Sequence, residues 1–115
     1  MKYMLLICDD PALFPRDEAD YKALMDEYAQ FSRDITASGE RVSGLRLEGV
    51  ERASSVRKRD ERVLVSDGPF AETKEQVGGL YVVDVSDRER ALELAAKLPG
   101  ARTGVIEVRP LFGES

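Results

Sequence analysis

The feature that most constrains this chain is its opening run, Tyr3-Met4-Leu5-Leu6-Ile7-Cys8, which is apolar on both alternating faces. A strand of that kind needs cover on both sides. Asp9-Asp10-Pro11 ends it. Tyr21, Leu24, Tyr28, Phe31 and Ile35 then recur at spacings of three and four, with Met25 widening the stripe. This spacing predicts an amphipathic helix from about Asp17 to Ser38. Asp17, Glu18 and Asp20 suit its positive end, and Gly39 suits the position just past its last turn.

Shorter signals follow. Gly44–Glu48 reads as a strand with Leu45 and Leu47 inward, and Ser54–Arg59 with Arg62–Ser66 as a hairpin turning at Asp60-Glu61. Gly79–Val85 is another strand. Ser86-Asp87-Arg88-Glu89 has the spacing of a capping box opening a second helix, which carries Ala91, Leu92, Leu94, Ala95 and Leu98 and stops at Pro99-Gly100. Gly104–Arg109 is the last strand. The order is β-α-β, a hairpin, then β-α-β. It predicts one α+β domain over residues 1–115: a ferredoxin-like split βαβ plan with an inserted hairpin and two helices on one face of an antiparallel sheet. No third helix exists to cover the other face, so a second copy packed about a two-fold axis is expected.

Composition narrows the chemistry. The chain has no histidine, which excludes Ser-His-Asp and Cys-His catalysis and His-ligated zinc. One cysteine, Cys8, allows no internal disulfide and reads as a small buried hydrophobe. Seventeen basic against 22 acidic residues give a net charge of −5, which argues against direct nucleic-acid binding. The first apolar run is too short for a signal or a membrane span. A cytoplasmic protein without membrane contact, metal or cofactor is expected.

The densest polar stretch is Ser66-Asp67-Gly68-Pro69-Phe70-Ala71-Glu72-Thr73-Lys74-Glu75-Gln76, before Gly78-Gly79. Asp-Gly-Pro is turn chemistry. Turn-making does not require the three carboxylates (Asp67, Glu72, Glu75) and the cation Lys74, whose crowding would raise one carboxyl pKa toward neutrality; a solvated charged loop is the plainer reading. Arg57-Lys58-Arg59 reads as edge protection.

The run Asp67-Gly68-Pro69-Phe70-Ala71-Glu72-Thr73-Lys74-Glu75-Gln76-x-Gly78-Gly79 resembles the signature of DGPF-type YCII-related proteins, and both ends of the chain match as well. The resemblance implies a dimeric α/β barrel. Some YCII-related proteins hold a His–Asp pair in a pocket at the barrel and resemble dehydrochlorinases or lyases; this chain lacks the histidine, leaving only Asp67 to stand for the carboxylate. Many DGPF-type proteins are encoded beside extracytoplasmic-function sigma factors, which implies a sensory or accessory role. A cysteine common in the family before the proline is Leu98 here.

Under this resemblance Asp67 either caps the turn or serves as general base. Glu72, Lys74 and Glu75 line a pocket or only solvate a loop. Phe70 anchors the core or touches ligand. Tyr3 and Arg109 complete a polar cluster, unless Arg109 simply pairs with Glu107 or Glu48. Three readings stay open: a cofactor-independent acid–base enzyme of lyase, isomerase or hydrolase type; a non-catalytic ligand-binding or regulatory protein; and a dimer without a pocket.

Overall fold

The computed structural model describes residues 1–70 and 74–113. Its elements, in chain order, are β1 (Lys2–Asp9), α1 (Glu18–Ala37), β2 (Arg41–Arg46), β3 (Ser54–Arg59), β4 (Arg62–Asp67), β5 (Gln76–Asp84), α2 (Arg88–Lys97), α3 (Gly100–Thr103) and β6 (Val105–Pro110). Four strands form an antiparallel sheet in the order β2-β5-β1-β6, the ferredoxin-like arrangement, while β3 and β4 form a separate two-stranded ribbon.

The alternation of β1 decides which side chains meet the helices. Tyr3, Leu5 and Ile7 pair with Val83, Tyr81 and Gly79 of β5 and point to the helix side. There they pack with Phe31 and Ile35 of α1 and with Ala91, Leu94 and Ala95 of α2. Leu5, Val83, Ile35, Leu94 and Leu98 are sealed from solvent. Burying a leucine or isoleucine side chain of this kind contributes about 1.5–3 kcal/mol. The opposite face carries Met4, Leu6, Leu80, Val82 and Leu45 with no helix over it.

Local signals placed most elements closely. Asp17 caps α1 by accepting from the Ala19 and Asp20 amides at 2.8 and 3.3 Å, and Gly39 leaves the helix at φ +79°. Asp60 and Glu61 make the hairpin turn with φ of 48° and 69°, the left-handed pair that a two-residue hairpin needs.

Two expectations are corrected. Asp87, not Ser86, caps α2, its carboxylate accepting from the Arg90 amide at 2.9 Å. α2 does stop ahead of Pro99-Gly100, at Lys97 with Leu98 extended, and a separate single turn, α3, follows. Leu45 and Leu47 are not inward but 61% and 50% exposed, because β2 runs Arg41–Arg46 with a register shift between Arg41 and Ser43 that puts Leu45 opposite Leu80 on the open face. The radius of gyration, 16.1 Å, exceeds the roughly 13 Å of a compact chain of this length. The body is flat, 48 × 42 × 18 Å.

Candidate functional site

The parity that buries Tyr3, Leu5 and Ile7 also buries Asp9, the last residue of β1. Its Oδ1 is buried without any hydrogen-bond donor. The reason is the two glycines beside it: a Cβ built on Gly100 or on Gly104 would lie 3.1 Å from this oxygen, so bare backbone surrounds it. Oδ2 faces Gly78, toward a cavity of about 530 Å³ between α1 and the sheet. Desolvation pushes the Asp9 carboxyl above its ordinary value, and the negative charge of Glu75 pushes the same way.

Glycine opens the cavity. Gly44 and Gly79 sit on the helix-facing side of β2 and β5, where a Cβ would approach the Tyr81 ring to 2.9 Å and the Leu45 carbonyl oxygen to 2.8 Å. Larger residues would close the gap beneath α1. Met25, Tyr28 and Ser32 of α1 form the roof. Tyr81 packs edge-on against Phe31 at 5.0 Å, and its hydroxyl shares a 2.6 Å hydrogen bond with Ser32. Burial and the charge of Asp9 hold the Tyr28 phenol up at about 12, so it keeps its proton. A mostly apolar concavity with a few convergent polar groups is the usual form of a small-molecule site. Among the described residues no group of three or more Cys, Asp or Glu side chains converges as metal ligands, and no helix is long and apolar enough to cross a membrane.

The signature run is split: Gln76, Gly78 and Gly79 line the cavity, whereas Asp67, Gly68, Pro69 and Phe70 lie outside it. Asp67 ends β4 opposite Ser54, exposed. Gly68 turns at φ +96°, its amide donating to the Ala53 carbonyl at 2.8 Å and its own carbonyl accepting from Ser55 Oγ at 2.8 Å, which is the backbone role expected of it. Phe70 is not a core anchor: it is 81% exposed, beneath the Arg57 guanidinium at 5.4 Å. Lys74 and Glu75 are exposed, and Glu75 acts on Asp9 through its charge. Glu72 falls outside the described residues. Tyr3 is buried on the helix side, whereas Arg109 pairs with Met4 on the opposite face and lies 3.7 Å from Glu107, so the two do not meet. Asp67, Phe70, Lys74, Glu75, Tyr3 and Arg109 do not line the cavity.

Asp9 was legible in principle. An ionisable residue that continues the buried period Tyr3-Leu5-Ile7 is a signal that a strand's end carries chemistry, and it passes unnoticed when Asp9-Asp10-Pro11 is read only as a stop. The sequence comparisons agree with the family resemblance. The model of the YCII-related domain matches residues 1–114. The chain belongs to the YCII-related family. An uncharacterised protein of Rhizobium meliloti (strain 1021) is 32% identical over 114 residues, covering 96% of this chain and 92% of that one.

Proposed function

We propose that this YCII-related protein is a cofactor-independent acid–base enzyme acting on a small organic molecule in the cavity beneath α1, with Asp9 transferring the proton. The observation that carries this reading is the buried Asp9 carboxyl, with one oxygen lacking any partner. A carboxylate kept out of water without a hydrogen bond costs several kcal/mol, and such strain concentrates where a raised pKa is of use. Ionised, Asp9 takes a proton from carbon next to a carbonyl; protonated, it returns one, giving isomerisation or elimination. Tyr28 stays neutral and donates a hydrogen bond to the oxygen that gains charge.

Hydrogen–deuterium exchange on a panel of 2-oxo and 3-oxo acids, followed by NMR against an enzyme-free control, tests this. Wild type is expected to accelerate exchange at the carbon beside the carbonyl, and Asp9→Asn to slow it ~10²–10⁴-fold. Asp67→Asn is run in parallel: an equal loss there would move the role to the signature run. Exchange absent across the panel, or undiminished in Asp9→Asn, overturns the reading.

We also infer a homodimer, closed as an α/β barrel by packing open sheet faces together. Two features support it. Met4, Leu6, Leu80 and Val82 are only partly buried by their own chain, on the sheet face away from the helices. The β3–β4 ribbon exposes Val56, Val63 and Val65 on one side, although a lone two-stranded ribbon is marginal in water. Sedimentation giving a 12.8 kDa particle at micromolar concentration would exclude it.

A further inference from the structure

The cavity wall opposite Asp9 is built by β2, and it carries two arginines in an acidic chain. The register shift between Arg41 and Ser43 places Arg41, Gly44 and Arg46 together on the helix-facing side, opposite Val83, Tyr81 and Gly79. Both arginines line the cavity. One nitrogen of Arg41 reaches to 3.3 Å from the Cβ position of Gly44, beside the Tyr81 ring. Arg46 lies 5.6 Å from the centre of the Tyr21 ring and donates to Met25 Sδ at 3.4 Å. Among the described residues neither guanidinium has a carboxylate within ion-pair distance, although 22 acidic residues compete for 17 basic ones. Of the other charged groups around the cavity, Glu48 is engaged by Arg52 at 3.7 Å, and the Glu51 carboxylate folds back against Gly49 at the rim.

The sheet register sets the spacing. Arg46 pairs with Gly79, Gly79 with Ile7, and Asp9 lies two residues beyond Ile7 on β1. Two strand spacings and two residue rises put the Arg46 and Asp9 Cα atoms roughly 12 Å apart. Arginine's planar fork binds a carboxylate bidentately, which a lysine does not reproduce. We propose that Arg46 and Arg41 hold the carboxylate of an amphipathic organic acid, whose apolar body lies on the glycine floor between β2 and α1 with its reacting carbon beside Asp9.

The substrate class named here rests on the acid–base reading of the same cavity, and the test keeps the two separate. The probes are 3-phenylpropionate, its amide and 3-phenylpropylamine, matched in shape and differing in charge, titrated against the ¹⁵N-labelled full chain. The carboxylate is expected to saturate at millimolar concentration, shifting the Gly44 and Gly79 amides, and to bind at least about tenfold tighter than the amide. Arg46→Gln and Arg41→Gln should each weaken it about tenfold. Arg46→Lys should recover only part of that loss, and Arg57→Gln, on the ribbon, should change nothing. Equal or tighter binding of the amide or amine, no saturation by the carboxylate, or full binding in both glutamine variants overturns the proposal. Asp9→Asn should retain carboxylate binding. Arginine-dependent binding without proton exchange would therefore sink the catalytic reading and leave this one standing.

Discussion

The helix-covered side of the sheet and the β3–β4 ribbon share antiparallel pairing and end in opposite states. β1 is apolar on both faces, whereas the ribbon sets Val56, Val63 and Val65 on one side among polar residues. On the sheet, α1 and α2 bury Leu5, Val83 and their neighbours completely. On the ribbon the backbone pairs just as regularly from Ser54–Asp67 to Arg59–Arg62, yet all three of its valines stay exposed. Strand pairing satisfies the backbone; only a second layer removes side chains from water. The sheet side holds a carboxyl oxygen, Asp9 Oδ1, without a hydrogen-bond partner, whereas the ribbon leaves its valines in water.

The sharpest way to break this contrast is a pair of truncations followed by urea unfolding. Leu5→Ala should cost about 3 kcal/mol, since a fully buried leucine leaves a cavity. Val65→Ala should stay within about 0.5 kcal/mol in the dilute monomer and grow with protein concentration if a second copy covers the ribbon. A large, concentration-independent loss at Val65 would mean that the ribbon is buried within its own chain.

Gly79→Ala is next. Its Cβ would stand 2.8 Å from the Leu45 carbonyl oxygen, and such overpacking costs about 1–3 kcal/mol. Thermal unfolding reads the loss, and the same variant should shrink the cavity and weaken carboxylate binding. Unchanged stability would show that β2 can slide away from β5.

Asp9→Asn should move stability the other way. The folded-state pKa of Asp9 lies above its unfolded value of about 3.8, so wild type loses stability as pH rises from the unfolded value through the raised one. The variant lacks this decline and should be the more stable near neutral pH by more than about 0.5 kcal/mol, beyond an ordinary surface change. A variant less stable than wild type at neutral pH would mean that Asp9 has a partner after all.

The smallest effect is expected at Glu40, which joins the end of α1 to α2. Arg90 donates to its carboxylate at 2.8 and 2.9 Å and Ser38 at 2.7 Å, holding its pKa down at about 2. This contribution is present above the ordinary value of about 4.5 and is lost as pH falls toward 2. Glu40→Gln should lower the unfolding temperature slightly at pH 7 and remove that acid-limb segment. The effect is limited because the Arg90 side chain is partly open to solvent and screened. An acid limb identical to wild type would remove the pair from the stability balance.

Much of the fold was readable without coordinates. The stripe from Tyr21 to Ile35, the turn at Asp60-Glu61 and the double-sided run at Tyr3–Cys8 each reflect interactions within a few residues, and each element appears where they place it. The reading went astray where distant segments decide. Leu45 looks like a core residue until the shift in β2 turns it outward. Phe70 has the residue type of an anchor, but it stays exposed beneath the Arg57 guanidinium. The signature run drew attention by its density of charge, whereas Asp9 was passed over as the end of a strand.

Sequence alone determined the order of the main strands and helices, the cap of α1, the turn chemistry and the two-sided apolar character of β1, because periodicity and local hydrogen bonding depend only on near neighbours along the chain. Tertiary structure alone decided that Asp9, Tyr28, Gly79 and Arg46 share a cavity while Asp67 and Phe70 stay outside it. Burial, desolvation and the absence of a hydrogen-bond partner arise only when Gly100 and Gly104 are folded against the end of β1.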